Sequence, residues 1–448
     1  TNGAGAFGAS LNIQTNPLVE QPYAELNNSF GSYNSWKNTF KVGTGLLNNK
    51  YAFNARLSRI ASEGYIERAA SDLKSFYVDG GYFGKRQILK ATLFSGKERT
   101  YQAWYGTPEP LLFGDRAKLA DYAQAMEISK PADYDRLLNA DRRYNYYEYP
   151  GQTDNYSQTH ARLHYSNQLH EQLNFNVALH YTRGAGYFEE FRENDNLAKY
   201  LMPNINIGDT VIKSSDLVRR RWLSNHFYGS TFALNYKPNN QLELSFGGAV
   251  NQYLGEHYGE VIWSQFASTE ALGDRYYFNK AKKNDFNVYA KSMYTTGNWL
   301  LNLDLQYRTL HYQVEGDDDK IKDIDLHDDL HFFNPKAGIT YQFNKASNVY
   351  LSYAFANKEP VRKDYVENPL QEFPKPEQMQ NIEAGYRLRN AQVNLGINAY
   401  AMFYNNQLIP TGALNQSGSA IRQNVKDSYR IGLELDASWA LSAQLRWS

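Results

Sequence analysis

The sequence predicts an all-β fold, a transmembrane antiparallel up-and-down β-barrel of which about 17 strands are present. Three observations lead to this prediction: side chains alternate in character, short and long connections alternate, and tryptophans lie near segment ends. No stretch approaches about 18 consecutive apolar residues, so a helical membrane protein is excluded. The 47 basic and 47 acidic residues balance. No nucleic-acid partner is therefore expected, because such a partner requires a positive surface.

The first observation is a period of two along most of the chain. Between Leu173 and Tyr181 the odd positions are large and apolar, whereas the even positions are mostly small or polar. The same alternation returns at residues 242–250, 301–307 and 393–403. Each such segment is a strand with one apolar and one polar face. A soluble sandwich alternates in the same way, so this pattern alone does not separate water from lipid.

The second observation is the order of the connections. Short links lie near residues 47–50, 83–85, 167–172, 238–240, 296–298, 344–346, 389–390 and 441–442. Long links alternate with them, near 62–74, 105–153, 189–217, 263–275, 315–331, 359–374 and 406–420. Tight turns at one end and long loops at the other are typical of outer-membrane barrels, because only a closed sheet satisfies every backbone polar group in lipid. We expect the long links to be extracellular.

The third observation is the position of the tryptophans. Trp299 and Trp439 stand beside short links, and four others precede or follow long links: Trp36, Trp104, Trp222 and Trp263. Two aromatic girdles, one at each membrane interface, produce this distribution. The tryptophans therefore favour a membrane barrel over a soluble sandwich.

Motifs at both ends of the chain resemble one family. Residues 3–8 fit the dinucleotide pattern G-x-G-x-x-G, but a strand-like segment follows where that pattern requires a helix. Residues 9–15 instead resemble the last plug strand of TonB-dependent receptors, the energised uptake transporters of the Gram-negative outer membrane. Residues 24–36 resemble the barrel entry of that family, and 354–360, 374–377 and 381–386 resemble its late-barrel pattern. Residues 63–68 are similar to versions from Bacteroidetes-type bacteria.

The resemblance implies a domain organisation. Residues 1–16 would be the C-terminal end of the plug domain, and residues 20–448 an incomplete barrel with the long links as extracellular loops. The family implies about 22 strands around a plugged lumen, so about five would lie outside this sequence. Most of the plug, with the segment that contacts the TonB-ExbB-ExbD complex, would lie upstream.

The resemblance also implies a function and a location. The protein would be an active transporter in the outer membrane of a Gram-negative bacterium, surrounded by lipid and lipopolysaccharide. Its leading ligand class is ferric siderophores, and haem, cobalamin and peptides are the alternatives within transport. The alternative to active transport is a passive porin-like channel or a surface adhesin. The sequence offers no support for an enzyme, because it contains neither H-E-x-x-H nor G-x-S-x-G.

Four tyrosines of the longest link are candidate ligand-binding residues. They are Tyr144, Tyr146, Tyr147 and Tyr149. Aromatic rings with polar tips suit stacking on an aromatic or metal-chelate ligand. The same link has a helical pattern over residues 119–126, so packing within the loop is the competing interpretation.

Three consecutive arginines form the second candidate group, Arg219, Arg220 and Arg221, at the outer end of a strand. Their charge could steer an anionic iron chelate or pair with lipopolysaccharide phosphates. Neighbouring side chains alternate between lumen and lipid, so both roles remain open.

No cofactor or metal site is assigned. The acidic stretch between Asp317 and Asp329 lacks the central Gly and terminal Glu of an EF-hand, so a solvated loop is the preferred interpretation. The pairs His160 with His164 and His327 with His331 lack further ligands that would complete a metal or haem site.

Overall fold

The computed structural model describes residues 18–266, 271–319, 321–366, 373–414, 420–442 and 444–447. The predicted plug strand therefore lies outside the described residues. The strands are β1 (Tyr23–Gly31), β2 (Ser35–Gly43), β3 (Tyr51–Ser62), β4 (Ser71–Phe83), β5 (Gln87–Tyr101), β6 (Thr153–His170), β7 (Leu173–Asn196), β8 (Ile205–Ile207), β9 (Thr210–Ile212), β10 (Ser214–Tyr236), β11 (Leu242–Ser264), β12 (Arg275–Thr296), β13 (Trp299–Gly316), β14 (Ile324–Phe333), β15 (Lys336–Gln342), β16 (Ser347–Lys358), β17 (Glu377–Arg389), β18 (Val393–Leu414), β19 (Ala420–Ala440) and β20 (Arg446–Trp447). The helices are α1 (Glu109–Phe113), α2 (Leu119–Ala125), α3 (Pro131–Asn139) and α4 (Arg362–Val366), with 3-10 turns at Arg116–Lys118 and Leu197–Tyr200.

One antiparallel sheet contains every strand except β8 and β9, which form a separate hairpin. Strands follow one another in up-and-down order, and β13 pairs with β14 along its outer part and with β15 along its inner part. These two strands are halves of one crossing, interrupted at Asn334 and Pro335, because proline has no N–H for the ladder. Counting the halves once reduces the 18 strands of this sheet to 17, the number expected. No helix in the described parts of the chain is long and apolar enough to cross a bilayer.

The short links are turns at one end of the sheet, the turn end, as predicted. At the β2–β3 link, Asn48 and Asn49 adopt positive φ angles of 49° and 53°, which asparagine tolerates better than most residues. At the β12–β13 link, Gly297 has φ of 54°. Asparagine and glycine are the residues that tolerate the positive φ angles of such turns, so the sequence by itself specifies them.

The two faces of the sheet differ as the alternation predicts. Large apolar side chains remain exposed on one face, here named the apolar face; Leu244 is 37% exposed and Leu303 44%. Leu173 and Leu395 are partly exposed as well, so no second layer of the described residues covers these rows. The opposite, polar face includes Asn251, Asn287 and Asp304. A sheet with this exposed band is the wall of a membrane barrel.

Several strands extend further beyond the membrane than the sequence pattern indicates. The predicted link 189–217 shrinks to residues 197–213, and 315–331 shrinks to 317–323 because β14 begins at Ile324. The strands β18 and β19 likewise extend into the predicted link 406–420. Outside lipid both faces of a strand are polar, so the alternation that marks a strand disappears although the hydrogen-bond ladder continues.

Two outer links have small cores of their own. In the link 102–152, helix α2 lies where the helical pattern predicts it, and Leu119, Ala123 and Leu137 are buried there. In the link 197–213, Leu197 and Tyr200 pack against Tyr276 of β12. These loops are therefore ordered structures that can hold side chains in fixed positions.

Candidate ligand-binding surface

The long β5–β6 link is anchored at its base by two buried glutamines. Gln152 donates through Nε2 to Oε1 of Gln102 at 3.1 Å, and Oε1 of Gln152 accepts from the backbone N–H of Phe191 at 3.1 Å. Gln102 in turn donates to the carbonyl of Glu189 on β7 at 3.3 Å. Both side chains are 2% exposed. The base of the link is thus fixed to β7, and this attachment gives the rest of the link a defined orientation.

Five aromatic side chains meet above this base and form what we name the aromatic wall: Trp104, Tyr105, Tyr146, Tyr147 and Phe188. Tyr105 stacks on Tyr147 with ring centroids 5.4 Å apart, and Tyr146 lies edge-on to both. Trp104 makes edge contacts with Tyr147 and, at 5.7 Å, with Phe188 of β7. Trp104 is 62% and Tyr105 56% exposed. The wall therefore presents open ring surface.

The backbone of the wall is held by two arginines and an asparagine. Arg68 donates to the carbonyl of Tyr147 at 3.0 Å, and Arg136 donates to the carbonyls of Asn145 at 2.9 Å and Tyr146 at 3.2 Å. The buried Asn145 side chain donates to the carbonyl of Glu67 and accepts from the N–H of Tyr147. Burial raises the pKa of the Tyr147 hydroxyl. The Tyr147 hydroxyl is consequently a neutral hydrogen-bonding group.

The structure separates the four predicted tyrosines. Tyr146 and Tyr147 belong to the wall. Tyr144 is 1% exposed in the small core of the link, where Arg136 stacks on its ring at 4.7 Å. Tyr149 donates to Glu189 at 2.8 Å and stacks on Phe191, away from the wall. Packing within the loop, the competing interpretation, therefore describes Tyr144 and Tyr149.

The three predicted arginines alternate between the faces of β10. Arg219 and Arg221 lie on the polar face, where Arg219 pairs with Glu190 at 2.9 Å and both approach Asp319, at 3.6 and 3.8 Å. Arg220 lies on the apolar face and pairs with Glu189 at 2.9 Å. Carboxylates thus offset much of this positive charge.

Arg221 connects the two predicted groups. Its guanidinium lies 5.4 Å from the ring centroid of Phe188, a member of the wall, and its Nε donates to the Tyr277 hydroxyl at 3.3 Å. A cation therefore lies beside the open rings, on the polar face. This arrangement can bind a ligand that has both ring surface and negative charge.

A second loop lies over the polar face and is named the strap, residues 359–366. Arg362 pairs with Asp318 at 2.7 Å, and Tyr365 donates to Asp328 at 2.5 Å. Burial by itself would raise the pKa of Asp318, but the hydrogen bond and charge of Arg362 lower it below its usual range. Asp318 and Asp319 are therefore ion-paired on this face, whereas Asp323, Asp325 and Asp329 are exposed, so the solvated loop that the sequence suggests describes only part of the acidic stretch.

One exposed group of side chains could offer ligand atoms to a metal. Glu315, Asp325 and His327 lie on the apolar face of the β13–β14 hairpin, with their donor atoms within 4.8 Å of one another. His327 hydrogen-bonds to Asp325 at 2.9 Å. Three exposed donors without a fourth do not complete the tetrahedral set that zinc prefers. The other predicted pair, His160 and His164, contributes to no such group among the described residues.

Three members of the wall, Trp104, Tyr105 and Phe188, are not among the residues predicted from the sequence. Trp104 was expected in a girdle, yet it contacts Tyr147 and Phe188. Tyr105 directly follows Trp104, so two adjacent aromatic residues at the start of the longest link were the available signal. No sequence pattern around Phe188 predicts its place in the wall, because the residues that contact it, Trp104 and Arg221, are more than 30 positions away in the chain.

Comparison with known proteins gives one family match. A family model described as TonB dependent receptor-like, beta-barrel matches residues 112–448. Among curated protein sequences, none matches the chain.

Solved structures share the fold at low identity. The ferric-catecholate import receptor Fiu from Escherichia coli K12, in its closed form, is 11% identical with a TM-score of 0.64, over 95% of this chain and 63% of that one. The ferric citrate transporter FecA is 14% identical with a TM-score of 0.63, over 95% and 57%. The copper transporter OprC is 11% identical with a TM-score of 0.65, over 96% and 60%. The chain thus spans less than two thirds of the length of each of these structures.

Proposed function

The chain belongs to the TonB-dependent receptor β-barrel family, and from this membership we propose that the whole protein is an active transporter in the outer membrane of a Gram-negative bacterium. The family match over residues 112–448 is the observation on which the proposal rests. Energy would come from the TonB-ExbB-ExbD complex, acting through a plug region upstream of the barrel. Outer-membrane lipid and lipopolysaccharide would surround the apolar face.

We further propose a ferric siderophore as the transported ligand. Two of the structural neighbours are named for ferric-catecholate and ferric citrate import, and this supports the proposal. The aromatic wall supports it as well, because its exposed rings lie beside the cationic Arg221. A ferric siderophore combines flat, polarisable surface with negative charge. The rings of the wall would stack on the flat surface of the siderophore, and Arg221 would attract its negative charge.

The wall defines the residues that would contact the ligand. Trp104, Tyr105 and Tyr147 would provide stacking surface, and Tyr146 lies edge-on to Tyr105 and Tyr147. Arg221 would provide charge, since its contact with Asp319 is long at 3.8 Å, whereas Arg220 points to the other face and Arg219 is paired with Glu190 at 2.9 Å. Tyr144 and Tyr149 fall outside the proposed contact set.

Uptake by the full-length protein tests the transport proposal. Cells that depend on this protein receive radiolabelled ferric siderophores, haem, cobalamin or peptide, one at a time, with and without functional TonB. Uptake of a ferric siderophore that stops without TonB supports the proposal. Uptake that continues without TonB favours a passive channel instead, and uptake of haem, cobalamin or peptide alone changes the ligand class.

Binding measurements on the purified full-length protein test the contact set. Replacing one stacking ring removes about 1 kcal/mol, so Trp104→Ala and Tyr147→Ala should each weaken siderophore binding roughly fivefold or more. Arg221→Gln should weaken binding most at low salt. Tyr149→Phe is the matched control, because Tyr149 stacks away from the wall. Equal affinities for all four variants would show that the ligand binds elsewhere.

A further inference from the structure

The aromatic wall has a charged side chain on each side of Phe188. Phe188 of β7 lies directly opposite Arg221 of β10 and directly opposite Asp154, the second residue of β6. Residues directly opposite each other in a sheet point to the same face, so Asp154 lies on the polar face with Arg221. Two strand spacings of about 4.8 Å put the Cα atoms of Asp154 and Arg221 roughly 10 Å apart. A carboxylate and a guanidinium therefore flank one ring of the wall.

Asp154 has no basic side chain beside it in the sheet. The residues directly opposite it are Thr100 of β5 and Phe188 of β7. The positions diagonal to it, which long side chains can also reach, are likewise not basic; they are Glu98, Gln102, Gly186 and Glu190. Among these, Glu190 already pairs with Arg219 at 2.9 Å. The surroundings of Asp154 are therefore neutral or acidic.

The charge of Asp154 is poorly compensated although the side chain is partly buried. Burial raises the pKa of its carboxyl above the usual range, and among the described residues only the backbone N–H of Asn155 acts in the opposite direction. Asp318 is the contrasting case, because its pairing with Arg362 lowers the pKa of that carboxyl despite burial. A cation beside Asp154 would act in the same way as Arg362 does on Asp318. The site therefore favours a cation that the described part of the chain does not supply.

Arg221 offers the opposite charge on the other side of Phe188. Its Nε donates to the Tyr277 hydroxyl at 3.3 Å, whereas its Nη1 lies 3.8 Å from Asp319, which is beyond hydrogen-bond length. Trp104 contacts Phe188 between the two charges and is 62% exposed. A ligand that rests on the rings of the wall can thus meet an anion-binding group on one side and a cation-binding group on the other.

We propose that Asp154 makes the wall selective for ferric siderophores that carry a protonated amine in addition to their negative charge. The inference rests on the proposed function and adds a specificity-determining residue to the same site. The rings of the ligand stack on the wall, its anionic part faces Arg221, and its ammonium group pairs with Asp154. A charge-assisted hydrogen bond of this kind is stronger than one between neutral groups. A siderophore without an amine leaves the Asp154 carboxylate covered and unpaired, so it binds less tightly.

The test uses the full-length protein in detergent and two probes, a synthetic ferric tris-catecholate with one free primary amine and the N-acetylated form of the same compound. Acetylation removes the positive charge and leaves the catecholates unchanged. Titration calorimetry measures the affinity for both probes in the unchanged protein, Asp154→Asn and Arg221→Gln. Asp154→Asn keeps the shape of the side chain and removes its charge. Asp209→Asn is the matched control, because Asp209 is an exposed carboxylate outside the wall, in the turn between β8 and β9.

The unchanged protein and Asp209→Asn should bind the amine probe roughly five- to tenfold more tightly than the N-acetylated probe. Asp154→Asn should lose this preference and still bind the N-acetylated probe, which shows that the wall is intact. Arg221→Gln should weaken the binding of both probes by a similar factor, because it acts on their shared anionic part. The preference of the unchanged protein should shrink as the salt concentration rises.

Two results would overturn the inference and leave the siderophore proposal intact. One is equal affinity of the unchanged protein for the two probes, and the other is an undiminished preference for the amine probe in Asp154→Asn. Binding of neither probe by the unchanged protein would contradict the proposed function, and the inference that rests on it would fail as well.

Discussion

Arg308 on β13 holds Glu359 at the start of the strap through two hydrogen bonds, from Nη1 at 2.9 Å and from Nη2 at 3.0 Å. Arg308 also binds Asp285 at 2.7 Å, and Lys283 pairs with Glu359 at 2.8 Å. The Arg308 side chain is 5% exposed. An arginine placed between two carboxylates, with a lysine beside one of them, neutralises charges that would otherwise be costly to bury. This group of residues fastens the strap to the polar face.

Glu359→Gln should release the strap. The substitution removes one charge from the group and leaves the Arg308 and Lys283 cations without this partner, which costs about 3 kcal/mol in comparable buried pairs. Hydrogen exchange of residues 359–366 in the full-length protein should therefore become faster, while exchange in β12 and β13 stays slow. Glu171→Gln, in the exposed turn between β6 and β7, is the control. Unchanged exchange in the strap would show that Arg362 and Tyr365 suffice to hold it.

The same contact predicts a pH dependence. Burial by itself would raise the pKa of the Glu359 carboxyl, but the hydrogen bonds and charges of Arg308 and Lys283 lower it to about 2. A lowered carboxyl pKa stabilises the attached strap above the unfolded pKa of about 4.3. This stabilisation is lost as the pH falls from about 4.5 towards 2. Exchange of the strap should accelerate over that range in the unchanged protein and much less in Glu359→Gln.

Asn145→Ala should loosen the aromatic wall. The change removes the acceptor for the Tyr147 N–H and leaves the carbonyl of Glu67 without its amide donor. Unsatisfied buried polar groups of this kind cost about 1–3 kcal/mol. We expect faster hydrogen exchange at residues 144–148 and weaker siderophore binding. Asn139→Ala is the matched control, because the exposed Asn139 side chain hydrogen-bonds within its own helix, to the carbonyl of Asp135. Equal effects of both variants would contradict the role of Asn145.

Gly259→Ala should destabilise the outer part of β11. A methyl group at this position would overlap the rings of Tyr276 and Tyr277, which are buried at 2% and 4% exposure. Overpacking of this kind costs about 1–3 kcal/mol. Gly96→Ala is the matched control, because the space around that glycine is open to 4 Å. The full-length protein should unfold at a lower temperature with Gly259→Ala but not with Gly96→Ala. Identical unfolding curves for the two variants would show that the tyrosine rings can shift.

Leu303→Lys should impair insertion into the outer membrane. Leu303 lies on the apolar face, 44% exposed, near the middle of the crossing of β13. A lysine facing lipid at that depth costs about 2–4 kcal/mol. Asn302→Lys is the control, because the side chain of Asn302, the residue before Leu303, lies on the polar face. The heat-modifiable, folded band of the full-length protein in unboiled gels should diminish for Leu303→Lys only, and equal loss in both variants would contradict the assignment of the faces.

The fold was predictable because its signals are local. The exposed row with Leu244 and Leu303 follows from a period of two, which depends only on the pleat of a strand. The turn at Asn48 and Asn49 follows from residues that tolerate positive φ. The outer end of β7, beyond residue 189, was not predictable, because Glu190 and its partner Arg219 continue the ladder with polar side chains that show no alternation.

The sequence by itself determined the number of crossings, their order and the face that meets lipid, since periodicity and turn chemistry act within a few residues. Only the tertiary structure decided which candidate residues come together. Arg68 binds the carbonyl of Tyr147 across 79 positions, and Phe188 brings Arg221 beside Trp104. Such contacts depend on the register of distant strands and on how a loop folds over them. No local pattern encodes them, so Tyr144 and Tyr147 look alike in the sequence although one is buried and the other belongs to the aromatic wall.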